Sequence, residues 1–341
     1  MALKPIIIPV ASGKGGVGKS FLTANLAMSL AAMGHRTLAV DLDLGGANLH
    51  GFLGLPNRYP GIGDFLKAKR GELADLRVPT PFENLEFLPG DGKTPFMANI
   101  SYTQKRKLIP RLRRLPAEYI LLDLGAGTTF NTLDFFNLSP LGILVTVPEH
   151  HAVMNMLAFL KNFLLRVIER SVGRNHAIRN MLRDAMKQPL EDQTSSISQL
   201  VAVISKEDPE AGKKITAACR RYRPRMVFNE GEHPDDLNFS AQITQSLRQI
   251  LSLEADYFGF VFFDSAVRKA VRSQTPFLPN FPQSPAALAI GRIAERIVKY
   301  WQTPIPDSAA LLMDRVRKDF APTSKSRKKK QVSTGRSGGL R

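Results

Sequence analysis

The segment Gly13-Lys14-Gly15-Gly16-Val17-Gly18-Lys19-Ser20 brings glycines, lysines and a hydroxyl together at the spacing that cradles a polyphosphate. Glycines let successive backbone N–H groups turn inward, Lys19 can reach β- and γ-phosphates, and the Ser20 hydroxyl suits Mg²⁺. The spacing fits G-x-x-x-x-G-K-[ST] in full, and Lys14 is a second lysine that this pattern does not require. Carboxylates follow at two further places. Asp41 and Asp43 close one apolar run; one residue apart, they point to opposite faces if the strand continues, so only one can face a nucleotide. Asp123 ends the run Tyr119-Ile120-Leu121-Leu122, where an acid would hold the hydration shell of a metal ion at the mouth of a sheet.

These residues need a scaffold that delivers them to one edge. The run Pro5–Ala11 is short, apolar and β-branched like a buried parallel strand, and Leu22, Leu26, Leu30 and Met33 recur at helical spacing after the loop. The loop therefore lies between a strand and a helix N-terminus, whose dipole favours anions. Strand-like runs at Thr37–Leu42, Tyr119–Leu124, Ile143–Val147, Arg225–Asn229 and Phe258–Phe263 alternate with helical stretches. The alternation predicts an α/β fold, a mostly parallel sheet flanked by helices, with ligands beyond the carboxyl ends of the strands. Between about 166 and 224 the strand rhythm is absent, and helical pieces around Ala177–Lys187 and Ala211–Tyr222, joined by a polar stretch at Glu191–Ser198, predict a helical insertion. The whole is expected to form one domain over residues 1–303. Pro304–Phe320 follows as an amphipathic helix, with Leu312, Val316 and Phe320 on one face, and residues 321–341 read as a basic, disordered tail.

A chain of 341 residues with 43% hydrophobic content can bury a sizeable core. No apolar run approaches the roughly 18 residues of a spanning helix, and no charged-then-apolar signal precedes the first strand, so a cytoplasmic protein is expected, with peripheral attachment at the inner face of the cell membrane as an option. The single cysteine, Cys219, excludes an internal disulfide and any Cys-x-x-Cys site, and reads as an ordinary helix residue. The formal charge is +17, and from Arg315 to Arg341 ten Lys/Arg stand against one acidic residue. Such a tail suits an anionic membrane, where each lysine contributes about 1 kcal/mol, with Pro304–Phe320 as an in-plane helix. It equally suits nonspecific DNA through counterion release, helped by basic clusters at Lys105–Arg114 and Arg220–Arg225.

With these residues in view, the phosphate loop resembles that of the deviant Walker A ATPases of the MinD, ParA and FlhG group, which reads K-G-G-x-G-K-[ST] with Lys14 in the position that marks the group. The resemblance spans Ile6 to about Lys299, interrupted by the insertion, and implies ATP and Mg²⁺ as ligands and an ATP-dependent homodimer in which Lys14 reaches the partner's nucleotide. It implies a cradle of Gly13, Gly15, Gly16, Val17, Gly18, Lys19, Ser20 and Phe21, catalysis by Lys14, Lys19 and Asp43, and metal contacts from Ser20, Asp43 and Asp123. Asp43 would place the attacking water, and Asp41 would support the metal or the loop. Leu124-Gly125-Ala126-Gly127 resembles switch II, with Gly127 offering its N–H to the γ-phosphate and Gly125 where the family more often has proline. Thr146-Val147-Pro148-Glu149 is similar to the family's T-x-P-E segment, and Asn229 matches the position that hydrogen-bonds adenine. Phe262 or Phe263 would stack on the base or belong to the core.

The resemblance further implies slow, regulatory ATP hydrolysis, nearest to the FlhG-like and MinD-like proteins that set the position or number of flagella or the division site through a protein partner. The chain begins almost directly at its first strand, without the N-terminal extension through which FlhG stimulates its partner GTPase, so a different partner or a C-terminal output is expected. A ParA-type DNA-partitioning ATPase is the alternative. A P-loop ligase or small-molecule kinase is the alternative of another class, and Lys14 argues against it.

Overall fold

The computed structural model describes residues 4–68, 71–90, 100–172, 176–187 and 196–320. The expected basic tail lies outside the described residues, as does most of the polar stretch that begins at Glu191. Among the described residues eight strands form one sheet: β1 (Ile6–Ala11), β2 (Thr37–Leu42), β3 (Val78–Pro79), β4 (Leu85–Leu88), β5 (Tyr119–Leu124), β6 (Ile143–Thr146), β7 (Arg225–Gly231) and β8 (Asp256–Phe262). Their order is β3-β4-β2-β5-β1-β6-β7-β8, and every pairing is parallel except that of the two-residue β3 with β4. The chain leaves β1 to one side for β2 and later returns to its other side for β6, so the loop after β1 sits where the winding direction changes, the place where such sheets bind ligands.

Side chains alternate along each strand and build two apolar layers. Ile120, Leu122 and Leu124 of β5 face one layer, whereas Tyr119 and Leu121 face the other. The second layer holds the helices Lys19–Ala32 and Pro285–Tyr300, which pack on each other as well as on the sheet. For that reason Lys19–Ala32 is buried around nearly its whole circumference. The helix stops at Ala32, and Met33, expected on its apolar face, is exposed.

The first layer carries the helices Tyr102–Leu112, Phe130–Phe136, His150–Ser171, Ile197–Glu207, Pro209–Arg220 and Ser240–Leu251. His150–Ser171 corrects two expectations. It is long and apolar enough to cross a membrane by length and composition, but 67% of its most apolar window is buried inside the protein. It also runs without interruption through residue 166, with Leu164, Leu165, Val167 and Ile168 buried, so the body of the domain continues past the expected start of the insertion. The insertion contains one helix more than expected, Ile197–Glu207, whose Ile197 and Ile204 stand two turns apart and are both buried.

The C-terminal segment is a helix over residues 308–320, and it too corrects an expectation. Leu312 and Val316 are buried in the first layer, and Phe320 stacks on Phe262 at 5.9 Å between ring centroids. The apolar face proposed for a membrane is thus occupied by the chain's own core. Ahead of this helix, the N–H of Ile305 donates to Asp256 at 3.3 Å, and the Tyr257 N–H of β8 donates to the Ser308 hydroxyl at 3.0 Å.

Candidate nucleotide-binding site

Five strand ends deliver the site. β1 ends in the phosphate loop, β2 leads to Asp43, β5 contains Asp123, β7 carries Asn229 and Glu230, and β8 is followed by Phe263 and Asp264. Between them lies a cleft of about 520 Å³. Of the expected residues, Gly15, Gly16, Gly18, Lys19, Ser20, Phe21, Asp43 and Asn229 line it, while Asp123 lies beneath, bonded to Lys19. Gly13, Val17, Gly127 and Lys14 do not line it; Lys14 is exposed beside the cleft of its own chain.

Two close approaches explain the loop's composition. A Cβ on Gly13 would overlap the carbonyl of Asn155, so the first turn of the loop lies directly against the helix His150–Ser171. Gly18 has φ of 80°, and a Cβ there would overlap the Asn229 amide nitrogen. That amide donates to the Val17 carbonyl at 3.0 Å, so Asn229, expected to read adenine, fastens the loop to β7 with its nitrogen. Gly127 departs from expectation in the same way, because its N–H donates to the Ser12 carbonyl at 3.0 Å rather than facing the cleft.

The charges sit at the floor of the cleft. Lys19 Nζ donates to Asp123 Oδ1 at 2.7 Å and to the Ser20 hydroxyl at 3.3 Å, and the Thr23 hydroxyl donates to the same carboxylate oxygen at 3.1 Å. Among the described residues, Asp123 Oδ2 is buried with no hydrogen-bond partner. A buried acceptor without a donor is costly, and beside the Ser20 hydroxyl it fits the oxygen-rich surroundings that Mg²⁺ takes. Asp41 supports the loop: its two oxygens accept the N–H groups of Asp43 at 3.1 Å and Leu49 at 3.1 Å. Burial, aided by the Asp123 charge, pushes its carboxyl up to about 7, against the pull of those N–H groups and of Lys19. Asp43 is freed to line the cleft, with Gly125 beside it: a Cβ on Gly125 would lie 3.4 Å from Asp43 Oδ1. A side chain at position 125 would thus meet that carboxylate at ordinary contact distance.

The cleft's far wall was only partly legible. Phe263 is exposed and covered by the Arg268 guanidinium at 5.1 Å, whereas Phe262 packs on Phe260 and Phe320. Asn48, Phe52, Glu230 and Arg272 line the cleft without having been singled out. Glu230 gave no signal in the sequence, since strand alternation places it on the face opposite Asn229.

Loop, switch-like segments and parallel sheet together define a P-loop nucleotide-binding protein. Residues 8–277 match the family model described as the CobQ/CobB/MinD/ParA nucleotide binding domain, and the chain belongs to that family. Among characterised relatives, it is 26% identical to the antiactivator FleN of Pseudomonas aeruginosa over 302 residues, 87% of this chain and 88% of that one. It is 32% identical to the flagellum site-determining protein YlxH of Helicobacter pylori over 162 residues, 45% of this chain and 52% of the relative. The fold is that of MinD: the MinC:MinD cell division complex of Aquifex aeolicus superimposes with a TM-score of 0.55 at 20% identity, covering 89% of this chain and 98% of that one. MinD of Pyrococcus horikoshii, solved with Mg-ADP, gives a TM-score of 0.52 at 21% identity, covering 86% of this chain and 96% of that one.

Proposed function

We propose that this protein is a cytoplasmic, Mg-ATP-dependent dimerising switch that hydrolyses ATP slowly and sets the number or position of a cellular structure such as flagella or the division site. The observation that carries the reading is Lys14, exposed beside a cleft already furnished with Lys19, Ser20, Asp43 and Asp123. A lysine that does not line its own chain's cleft is free to serve a second copy, as the family resemblance implies. Lys19 holds the phosphate chain, Ser20 and Asp123 hold the metal's hydration shell, and Asp43 orients the attacking water. Bound Mg²⁺ supplies charge neutralisation at the transferring phosphoryl group. A carboxylate is a weak general base, so rate comes from positioning and stays low.

The names of the relatives support a positional or regulatory output: an antiactivator and a flagellum site-determining protein. The ParA-type alternative loses part of its basis, because several cations of the two basic clusters are engaged inside the protein. Lys105 pairs with Asp134, Lys107 donates to the Phe65 and Ala68 carbonyls, and Arg223 and Arg225 pair with Asp256. Light scattering of the Lys14→Ala variant with Mg-ATP tests the reading. Monomers that still bind ATP are expected; wild-type dimers would overturn it.

A further inference from the structure

Asn229 and Glu230 are consecutive in β7, yet both line the cleft. In a regular strand successive side chains leave on opposite faces, as Val227 and Phe228 do in joining opposite apolar layers. The pairing with β8 accounts for the exception: Phe228 stands opposite Phe260 but Gly231 opposite Phe262, so β7 carries one residue more than its partner here. This is a β-bulge, a device that re-aims side chains beside functional sites. Glu230 holds φ of 58°, in the left-handed region that a residue with a Cβ enters at a cost. Glycine would enter it freely. The position instead carries a carboxylate, turned to the side of Asn229.

Its surroundings narrow what it can bind. Glu230 Oε1 would lie 3.9 Å from a Cβ on Gly18, which places the carboxylate beside the loop. Glu230 is exposed at the cleft mouth, and the partial burial it has raises its basicity, with Arg268 opposing and Glu149 adding to the effect; among the described residues no hydrogen bond to it contributes. Two neighbouring groups are already engaged: the two Asp264 oxygens accept the N–H groups of Ala266 and Ala286, and the Asn229 amide nitrogen holds Val17. An ionised carboxylate only accepts hydrogen bonds, and it repels phosphate. The phosphate end is furnished by Lys19 and Ser20, so an acceptor at the end of β7 matches the hydroxyl and amino donors of the nucleoside half.

We propose that Glu230 is the nucleoside-reading residue of this cleft, its carboxylate accepting hydrogen bonds from ribose hydroxyls or from the adenine amino group of the bound nucleotide. The inference rests on the nucleotide-site reading above. Equilibrium binding by the full chain tests it, with ATP, 2′-deoxy-ATP, 3′-deoxy-ATP and purine riboside triphosphate, which lacks the amino group. Hydrogen bonds to charged groups predict a wild type that prefers ATP over the analogue missing the relevant donor by about tenfold or more. Loss with a deoxy analogue assigns the sugar, and loss with purine riboside triphosphate assigns the base. Glu230→Gly keeps the left-handed turn and loses the preference, with an unfolding temperature equal to or above that of the wild type; Glu230→Gln loses most of the preference. A wild type without any preference, or a glycine variant that retains it, overturns the proposal. A wild type that binds none of the four nucleotides overturns the nucleotide reading instead.

Discussion

Asp41 and Asp123 stand opposite each other in the register of β2 and β5, both fully buried, and the ammonium of Lys19 sits on Asp123 alone. Like charges this deep cannot both be left uncompensated. Asp41 meets the conflict by holding its proton up to about pH 7, chiefly through burial and then through the Asp123 charge. Each acid thereby has its own work: Asp123 holds the lysine of the phosphate loop, and Asp41 holds the segment that presents Asp43.

Removing the cation should therefore cost stability as well as nucleotide binding. Lys19→Met leaves Asp123 buried without its partner, and a loss of about 3 kcal/mol in urea unfolding is expected. Lys19→Met combined with Asp123→Asn should recover most of that loss. A single variant as stable as the wild type would show that the pair contributes nothing.

A pH dependence follows from Asp134, which is held by Lys105 at 2.6 Å, Arg166 at 3.0 Å and Arg170 at 2.9 Å. Burial pushes its carboxyl up, but the hydrogen bonds from Arg166 and Lys105 and the neighbouring charges outweigh it and leave it below the ordinary value of 3.8. A depressed folded value means that the unfolded chain binds the proton more readily, so the contribution is present above the unfolded pKa and fades as pH falls through the folded one. Urea midpoints of wild type and Asp134→Asn should lie well apart at pH 7 and draw together as pH falls below 3.8. Parallel curves would sink the assignment.

Two glycines of the loop should respond differently to a methyl group. At Gly13 a Cβ meets the Asn155 carbonyl and the Met156 nitrogen, backbone atoms that cannot step aside, whereas at Gly15 the nearest atom is the Ala126 Cβ at 4.0 Å. Gly13→Ala should lose about 1–3 kcal/mol, and Gly15→Ala should unfold with the wild type. Equal thermal unfolding of the two variants would show that the loop yields.

The C-terminal helix offers a test of which of its faces is occupied. Leu312→Asp or Val316→Asp buries a charge in the first apolar layer, and a drop of about 3 kcal/mol or more is expected. Leu311, 53% exposed, should tolerate Asp within about 0.5 kcal/mol. If Leu312→Asp instead leaves thermal unfolding unchanged and abolishes binding to anionic vesicles, the helix belongs to the membrane.

What could be read from the sequence was local. The phosphate loop is contiguous, and the long strands are apolar runs with helices between them, so both were visible residue by residue. β4 was not, because it has four residues, one of them Glu86, which pairs with Arg77. The engagement of Gly127 by Ser12 and of Asn229 by Val17 joins residues far apart in the chain, and no spacing announces it. Glu230 was hidden for a further reason: its direction is set by an extra residue relative to β8. The apolar stripes of His150–Ser171 and of residues 308–320 were legible as stripes, but a sequence does not say whether lipid or protein covers them.

The Ser308 hydroxyl on the Tyr257 N–H carries one more consequence. β8 is the last strand of the sheet, and an open strand edge is a template on which another chain can add. Residues 304–320 occupy the approach to it, so a protein shortened to residue 303 would expose that edge to other copies of itself. Covering the Tyr257 N–H takes one open donor off that edge, a task separate from anything the nucleotide does.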